Sequence, residues 1–180
     1  MMPIMKNLKI DDVVRKLGLK KLWNEDYIKE DYFSDIVFSN NNISRPLFNW
    51  AYYLIPSGCI FPLHKLLSDE SWQFCLGGAV DLHLIIDNKV KTVRIGPDIL
   101  NDDNLLYIVK KETWFAATPA PGSEFSLITH CVSPGWIPAE DIPGYYEDMI
   151  QLAPENKEFI EKFSWPKSRK SYVMHDDYKT

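Results

Sequence analysis

Residues 58–77 read GCIFPLHKLLSDESWQFCLG, spaced as Gly58, five residues, His64, five residues, Glu70, six residues, Gly77. Ser68-Asp69 is a turn signal, so His64 and Glu70 are expected on adjacent strands joined by a tight connection. Alternate residues of a strand share a face. His64 and Leu66 then point one way, and Glu70, Trp72 and Phe74 point together. If that face lines a barrel interior, a histidine and a carboxylate meet in a pocket with aromatic walls. Such a pocket suits a small organic ligand.

A buried carboxylate beside a histidine orients the imidazole and raises its basicity, which makes His64 with Glu70 a candidate general base. A buried His–Glu hydrogen bond without chemistry is the competing reading. Two protein ligands are too few for a typical tight metal site, Leu66 cannot ligate, and Gln73 has the wrong strand parity. No metal and no other cofactor is therefore expected. His83 in DLHLII and His130 in LITHCV lie on expected strands. His130 is the stronger ligand-binding candidate, because its strand runs into the SPGW turn at the barrel rim. Tyr52 or Tyr53, whichever faces inward, joins Trp72 and Phe74 as a ligand-binding residue. No P-loop, GxGxxG, GxSxG or CxxC occurs.

The surrounding pattern is one of short strands over Trp50–Ile55, Trp72–Leu76, Val80–Ile86, Val90–Ile95, Leu105–Val109, Thr113–Ala117 and Phe125–Val132. Pro-, Gly-, Asn- and Asp-containing breaks separate them, as in a β-sandwich or barrel. Asp87-Asn88 marks the clearest hairpin. Residues 24–38 read as strand and loop, and SNNNIS at 39–44 as a turn. A helix is expected over residues 10–18, capped by Asp11 or Asp12 and ended by Gly18. Two more are expected over Asp141–Leu152 and Pro154–Phe163, followed by a polar tail that includes His175.

The chain has 180 residues, which suits one domain: a β-barrel core of about 24–138 with a helical extension and tail over about 139–180. Its net charge of −5 argues against a nucleic-acid partner. No apolar run is long enough for a membrane span, and no secretory h-region is expected at the N-terminus. Three cysteines, Cys59, Cys75 and Cys131, are an odd set that does not read as a disulfide framework. A cytoplasmic protein with reduced thiols is expected, with Cys75 and Cys131 in the core.

Four stretches together resemble the cupin superfamily, and more narrowly its cupin-5 family, a domain of unknown function. They are LFNWAYYLIPSG, PLHKLLSDESWQFCLGGAVDLHLI, IGPDI followed by TWFAA, and LITHCVSPGW. YIKEDY near the N-terminus adds to the match, which covers about residues 10–140. The resemblance implies a double-stranded β-helix jelly roll of the deoxysugar-epimerase kind, typically a homodimer. Its 58–77 frame is that of the first cupin motif, in which two histidines and a glutamate normally hold a metal. Here the second histidine position is Leu66, and the histidine of the second motif corresponds to Phe115. The family Arg is Lys29, the family His of W-H-F is Gln73, and His130 falls where Cys is frequent.

The expected function is small-molecule binding, with metal-independent epimerisation or isomerisation of a sugar-like metabolite as the leading chemistry. A non-catalytic or storage-like binder is the alternative, and a metal-dependent dioxygenase is a third.

Overall fold

The computed structural model describes residues 8–40 and 43–166. His175 and the rest of the polar tail beyond residue 166 lie outside the described residues. Among the described residues, thirteen strands form two facing antiparallel sheets and a separate hairpin. The larger sheet has the order β1 (Lys20–Lys21), β2 (Tyr27–Phe33), β5 (Asn49–Pro56), β12 (Phe125–Ser133), β7 (Asp69–Gly77), β10 (Leu106–Val109). The smaller has the order β13 (Asp141–Pro143), β6 (Phe61–Leu66), β11 (Trp114–Pro119), β8 (Val80–Ile86), β9 (Lys89–Ile95). β3 (Val37–Asn40) and β4 (Ile43–Pro46) make the hairpin. The fold is mainly β, a jelly-roll barrel.

Alternation along the strands explains how it closes. On β5, Ala51, Tyr53 and Ile55 turn inward, while Tyr52 and Leu54 turn outward. The interior is packed with Tyr53, Trp72, Leu82, Leu84, Ile95, Phe115 and Ile128, all nearly inaccessible to water. Both outer faces are partly covered by helices. α1 (Ile10–Leu17) lays Val13 near Leu54, Phe125 and Leu127 on the larger sheet. α2 (Tyr146–Leu152) and α3 (Lys157–Phe163) seal Leu63 and Ala116 on the smaller one. At about 25 cal/mol per Å² of apolar surface buried, such faces are the main favourable contribution to folding.

The β8–β9 hairpin turns at Asp87-Asn88, whose φ values of 50° and 61° are those of a type I′ turn. α1 ends at Gly18 with φ 72°. Neither Asp11 nor Asp12 caps it. Lys9 holds the N-cap position through its backbone carbonyl, and both acids sit in the first turn.

Three further expectations change. Asp141 does not start a helix: Asp141–Pro143 pairs with β6, so the sheet continues past residue 138. The 39–44 stretch contributes strand at both described ends. Cys75 is exposed and Cys131 only half-buried, because both lie on the outer side of their strands. Among the described residues, no helix is long and apolar enough to cross a membrane.

Candidate functional site

His64 and Glu70 belong to consecutive strands, but those strands are not hydrogen-bonded neighbours. β6 lies in the smaller sheet and β7 in the larger, so the Leu67-Ser68 connection passes between sheets. The two side chains therefore enter the interior from opposite walls, each only 2% exposed.

Glu70 is bonded to His130. Its Oε1 accepts a hydrogen bond from His130 Nδ1. Register explains the pairing: His130 on β12 stands opposite Trp72 on β7, and Glu70 lies two residues farther along the same face. Such diagonal neighbours are within reach of long side chains. On the other flank of His130 the partner is Ala51, whose small side chain leaves space. His64 is held differently. The β6–β11 register shifts between the His64–Phe115 and Phe61–Ala117 pairs, and this irregularity brings Phe61 and His64 to one face with rings 4.7 Å apart. His64 Nδ1 donates to the Pro62 carbonyl at 3.0 Å.

Between these groups is a cavity of about 40 Å³, into which Glu30, His64, Glu70, His130, Trp136 and Asp141 all project, with Leu66 and Ala51 among its apolar walls. Asp141 arrives on β13, opposite Leu66. Its Oδ2 accepts from Trp136 Nε1 at 3.2 Å, and the Trp136 backbone N–H donates to Asn49 Oδ1 at 2.7 Å. The SPGW turn thus brings Trp136 to the wall of the cavity. Burial pushes the Asp141 carboxyl above its ordinary range, against the pull of nearby His64 and the Trp136 bond, while Glu70 adds to the upward push. Burial likewise raises Glu30, opposed by His130 and Lys20. Three buried polar atoms here have no protein hydrogen-bond partner: His130 Nε2, Glu70 Oε2 and Asp141 Oδ1. Unsatisfied buried atoms of this kind, on three residues that line one cavity, call for water or a ligand.

The sequence profile described as "Cupin superfamily (DUF985)", Cupin_5, matches residues 11–140. The chain belongs to this family of cupins. A hypothetical protein from Leishmania major superposes with a TM-score of 0.81 at 21% identity, covering 88% of this chain and 100% of its own. A protein from Shewanella oneidensis gives 0.80 at 24% identity, covering 89% and 100%. A cupin 2 conserved barrel protein from Rhodopseudomonas palustris gives 0.50 at 13% identity, covering 78% and 80%. These likenesses show the fold. No protein of curated function matches the chain in sequence.

The resemblance implies a frame that normally holds a metal, but the residues here do not fit one. Leu66 offers no donor, and Phe115 packs its ring 4.3 Å from that of His64. Glu70 Oε1 is committed to His130. Among the described residues, no three His, Cys, Asp or Glu side chains converge as a metal set.

The aromatic candidates are placed apart from the cavity. Tyr53 faces inward, but its hydroxyl donates to Asp26 Oδ2 at 3.0 Å within the core. Tyr52 faces outward into the α1 cluster and so cannot reach the cavity. Trp72 is fully buried, edge-on to Phe61 at 5.0 Å, and supports His130 from 5.9 Å without lining the space. Phe74 is farther along β7 and borders a surface groove with Gly77 and Phe125. Lys29 faces outward and pairs with Asp31.

Sequence reasoning missed Glu30, Asn49, Trp136 and Asp141. Strand parity with Ile28 marks Glu30 as inward-facing. Asp141 has no local signal, since only its pairing with β6 delivers it.

Proposed function

We propose that this cupin binds a small polar organic molecule between its sheets and moves a proton on it, in a metal-independent epimerisation or isomerisation. The observation that carries the reading is His130. Its Nδ1–H is held by the buried Glu70 carboxylate, and its Nε2 is buried without a partner on a residue that lines the cavity. A carboxylate that fixes the tautomer in this way leaves Nε2 as the basic nitrogen. Nε2 would take the proton from a carbon α to a carbonyl, giving an imidazolium and an enolate. Return of that proton to a neighbouring atom gives isomerisation. His64 approaches from the facing sheet with Nδ1 bonded to the Pro62 carbonyl, and delivery of a proton from that side would give the epimer.

The general-base role therefore moves from His64 to His130, and the proton-returning role from tyrosine to His64. The cavity volume limits the part of the ligand that is enclosed to about three water-sized groups. A sugar-like substrate would insert only its reacting end.

The test is incubation in D2O with a panel of small hydroxy- and amino-carbonyl compounds and sugar nucleotides, read by mass spectrometry. Wild type should place solvent deuterium at the α carbon and His130→Gln should not. Equal exchange in both proteins would sink the reading. The small size of the cavity favours a second reading, a non-catalytic binder. In that case the same panel gives no exchange, but a His130-dependent rise in melting temperature. From the family resemblance alone we also propose a cytoplasmic homodimer, checked by light scattering and by localisation of a tagged chain.

A further inference from the structure

The charge of the cavity restricts what can occupy it. Glu30 comes from β2, Glu70 from β7 and Asp141 from β13, against His64 from β6 and His130 from β12. No Lys or Arg among the described residues lines the space. Three carboxylates outnumber two imidazoles, so with the acids ionised the cavity holds no net positive charge in any state of the histidines. An anionic head group would meet like charge in a poorly screened site.

The unsatisfied oxygens favour the opposite sign. The Glu70 side chain is 3% exposed, and its Oε2 has no partner. Asp141 Oδ1, from the facing sheet, has none either. Buried anionic acceptors are stabilised most by charged donors.

We propose that the cavity selects a small ammonium group, the amine end of its ligand, held between Glu70 Oε2 of one sheet and Asp141 Oδ1 of the other. The inference rests on the reading of this cavity as a ligand site, and it narrows the ligand class to a cation. An ammonium needs only two or three acceptors around a compact centre, whereas a tight metal site needs a convergent set of three or four. A volume of about 40 Å³ accepts a methylammonium-sized head.

The proposal has a pH signature. Glu30 and Asp141 are both raised by burial, while His64 and His130 pull them down, Glu70 pushes Asp141 up, and Lys20 reaches Glu30 from β1. A cation binds their ionised forms, so affinity should rise with pH until both acids are ionised.

Titration calorimetry and melting curves with methylammonium, methanol and acetate at equal ionic strength provide the test. Methylammonium should bind at least about tenfold more tightly than methanol, acetate should not bind, and affinity should climb as pH rises above the ordinary carboxylate range. Asp141→Asn and Glu70→Gln should each weaken methylammonium binding at least about tenfold; the first removes an anion from the rim and keeps the fold testable if the second does not. Equal affinity for methanol, preferred binding of acetate, no binding of methylammonium, or stronger stabilisation by a stoichiometric divalent metal would overturn the proposal. Acetate or methanol binding that is lost in His130→Gln would overturn the cation preference while leaving the ligand-site reading intact. Absence of deuterium exchange bears only on the proton-transfer reading.

Discussion

Two histidines on opposite sides of the barrel wall have contrasting surroundings. His83 lies on the outer side of β8 beneath α3. Nδ1 is bonded to Thr92 Oγ1 at 3.0 Å and Nε2 to Thr118 Oγ1 at 3.2 Å. Phe163 packs against the ring at 5.0 Å. His130 faces the interior with one nitrogen held by Glu70 and the other unpartnered. Both histidines are on strands, and both are half-buried. What separates them is the accounting of hydrogen bonds: the outer site is closed, whereas the inner one lacks a partner that folding did not supply.

The strongest way to break this contrast is His130→Gln. Glutamine can still donate to Glu70, so the fold should survive with a stability change within about 1 kcal/mol. It cannot act as a base near neutral pH, and exchange of solvent deuterium into substrate should fall by about a thousandfold. A variant that exchanges at the wild-type rate would remove His130 from the chemistry.

Phe163→Ala tests the other side. Phe163 is 3% exposed and belongs to the cluster with Leu63, Ala116 and Met149. Its truncation should cost about 3 kcal/mol of unfolding free energy by chemical denaturation, with exchange per folded molecule retained. Leu63 sits on the outer side of β6, one residue from His64, so a simultaneous fall in exchange would show that the two faces are mechanically linked.

The sequence made the strands legible and the site only partly so. Val80–Ile86 and its Asp87-Asn88 turn could be read locally because periodicity and turn chemistry are local signals. The frame from Gly58 to Gly77 located two of the site's groups, but not their arrangement. Glu70 meets His130, 60 residues away, because β12 rather than β6 is the neighbour of β7. The register shift around Phe61–His64 defeats a strict two-residue parity. Asp141 reads locally as the start of a helix, and only long-range pairing with β6 makes it a strand residue that lines the cavity. These are non-local facts of topology, and no window of sequence contains them.

A smaller effect should appear away from both histidines, at Asp26. Burial pushes its carboxyl up to about 8, although Asn24 Nδ2 donates to Oδ2 at 2.6 Å and pulls the other way. Folded Asp26 therefore keeps its proton between about pH 4 and 8, while the unfolded chain releases it near 3.8. Stability from this group is full below the unfolded value and is lost as pH rises through about 8. Melting temperature should decline across that window, and Asp26→Asn should flatten part of the decline. Glu30 and Asp141, raised for the same reason, would keep the remainder. An unchanged slope in the variant would remove Asp26 as a source of the pH dependence.

The smallest effect is expected at His83, and it carries the comparison's sharpest control. Burial lowers the imidazole's pKa, with Asp81 opposing and Lys162 assisting. The folded ring thus resists protonation at pH values where the unfolded one accepts it. Its contribution to stability is present above about 6.5 and is lost as pH falls. His83→Gln can keep one of the two threonine contacts and should cost about 1 kcal/mol at pH 7.5, with a shallower acid limb than wild type. Methylammonium affinity and deuterium exchange should be unchanged, because β8 presents His83 away from the interior. A loss of either in His83→Gln would mean that a satisfied histidine can still govern the cavity, and hydrogen-bond accounting would no longer separate the two sites.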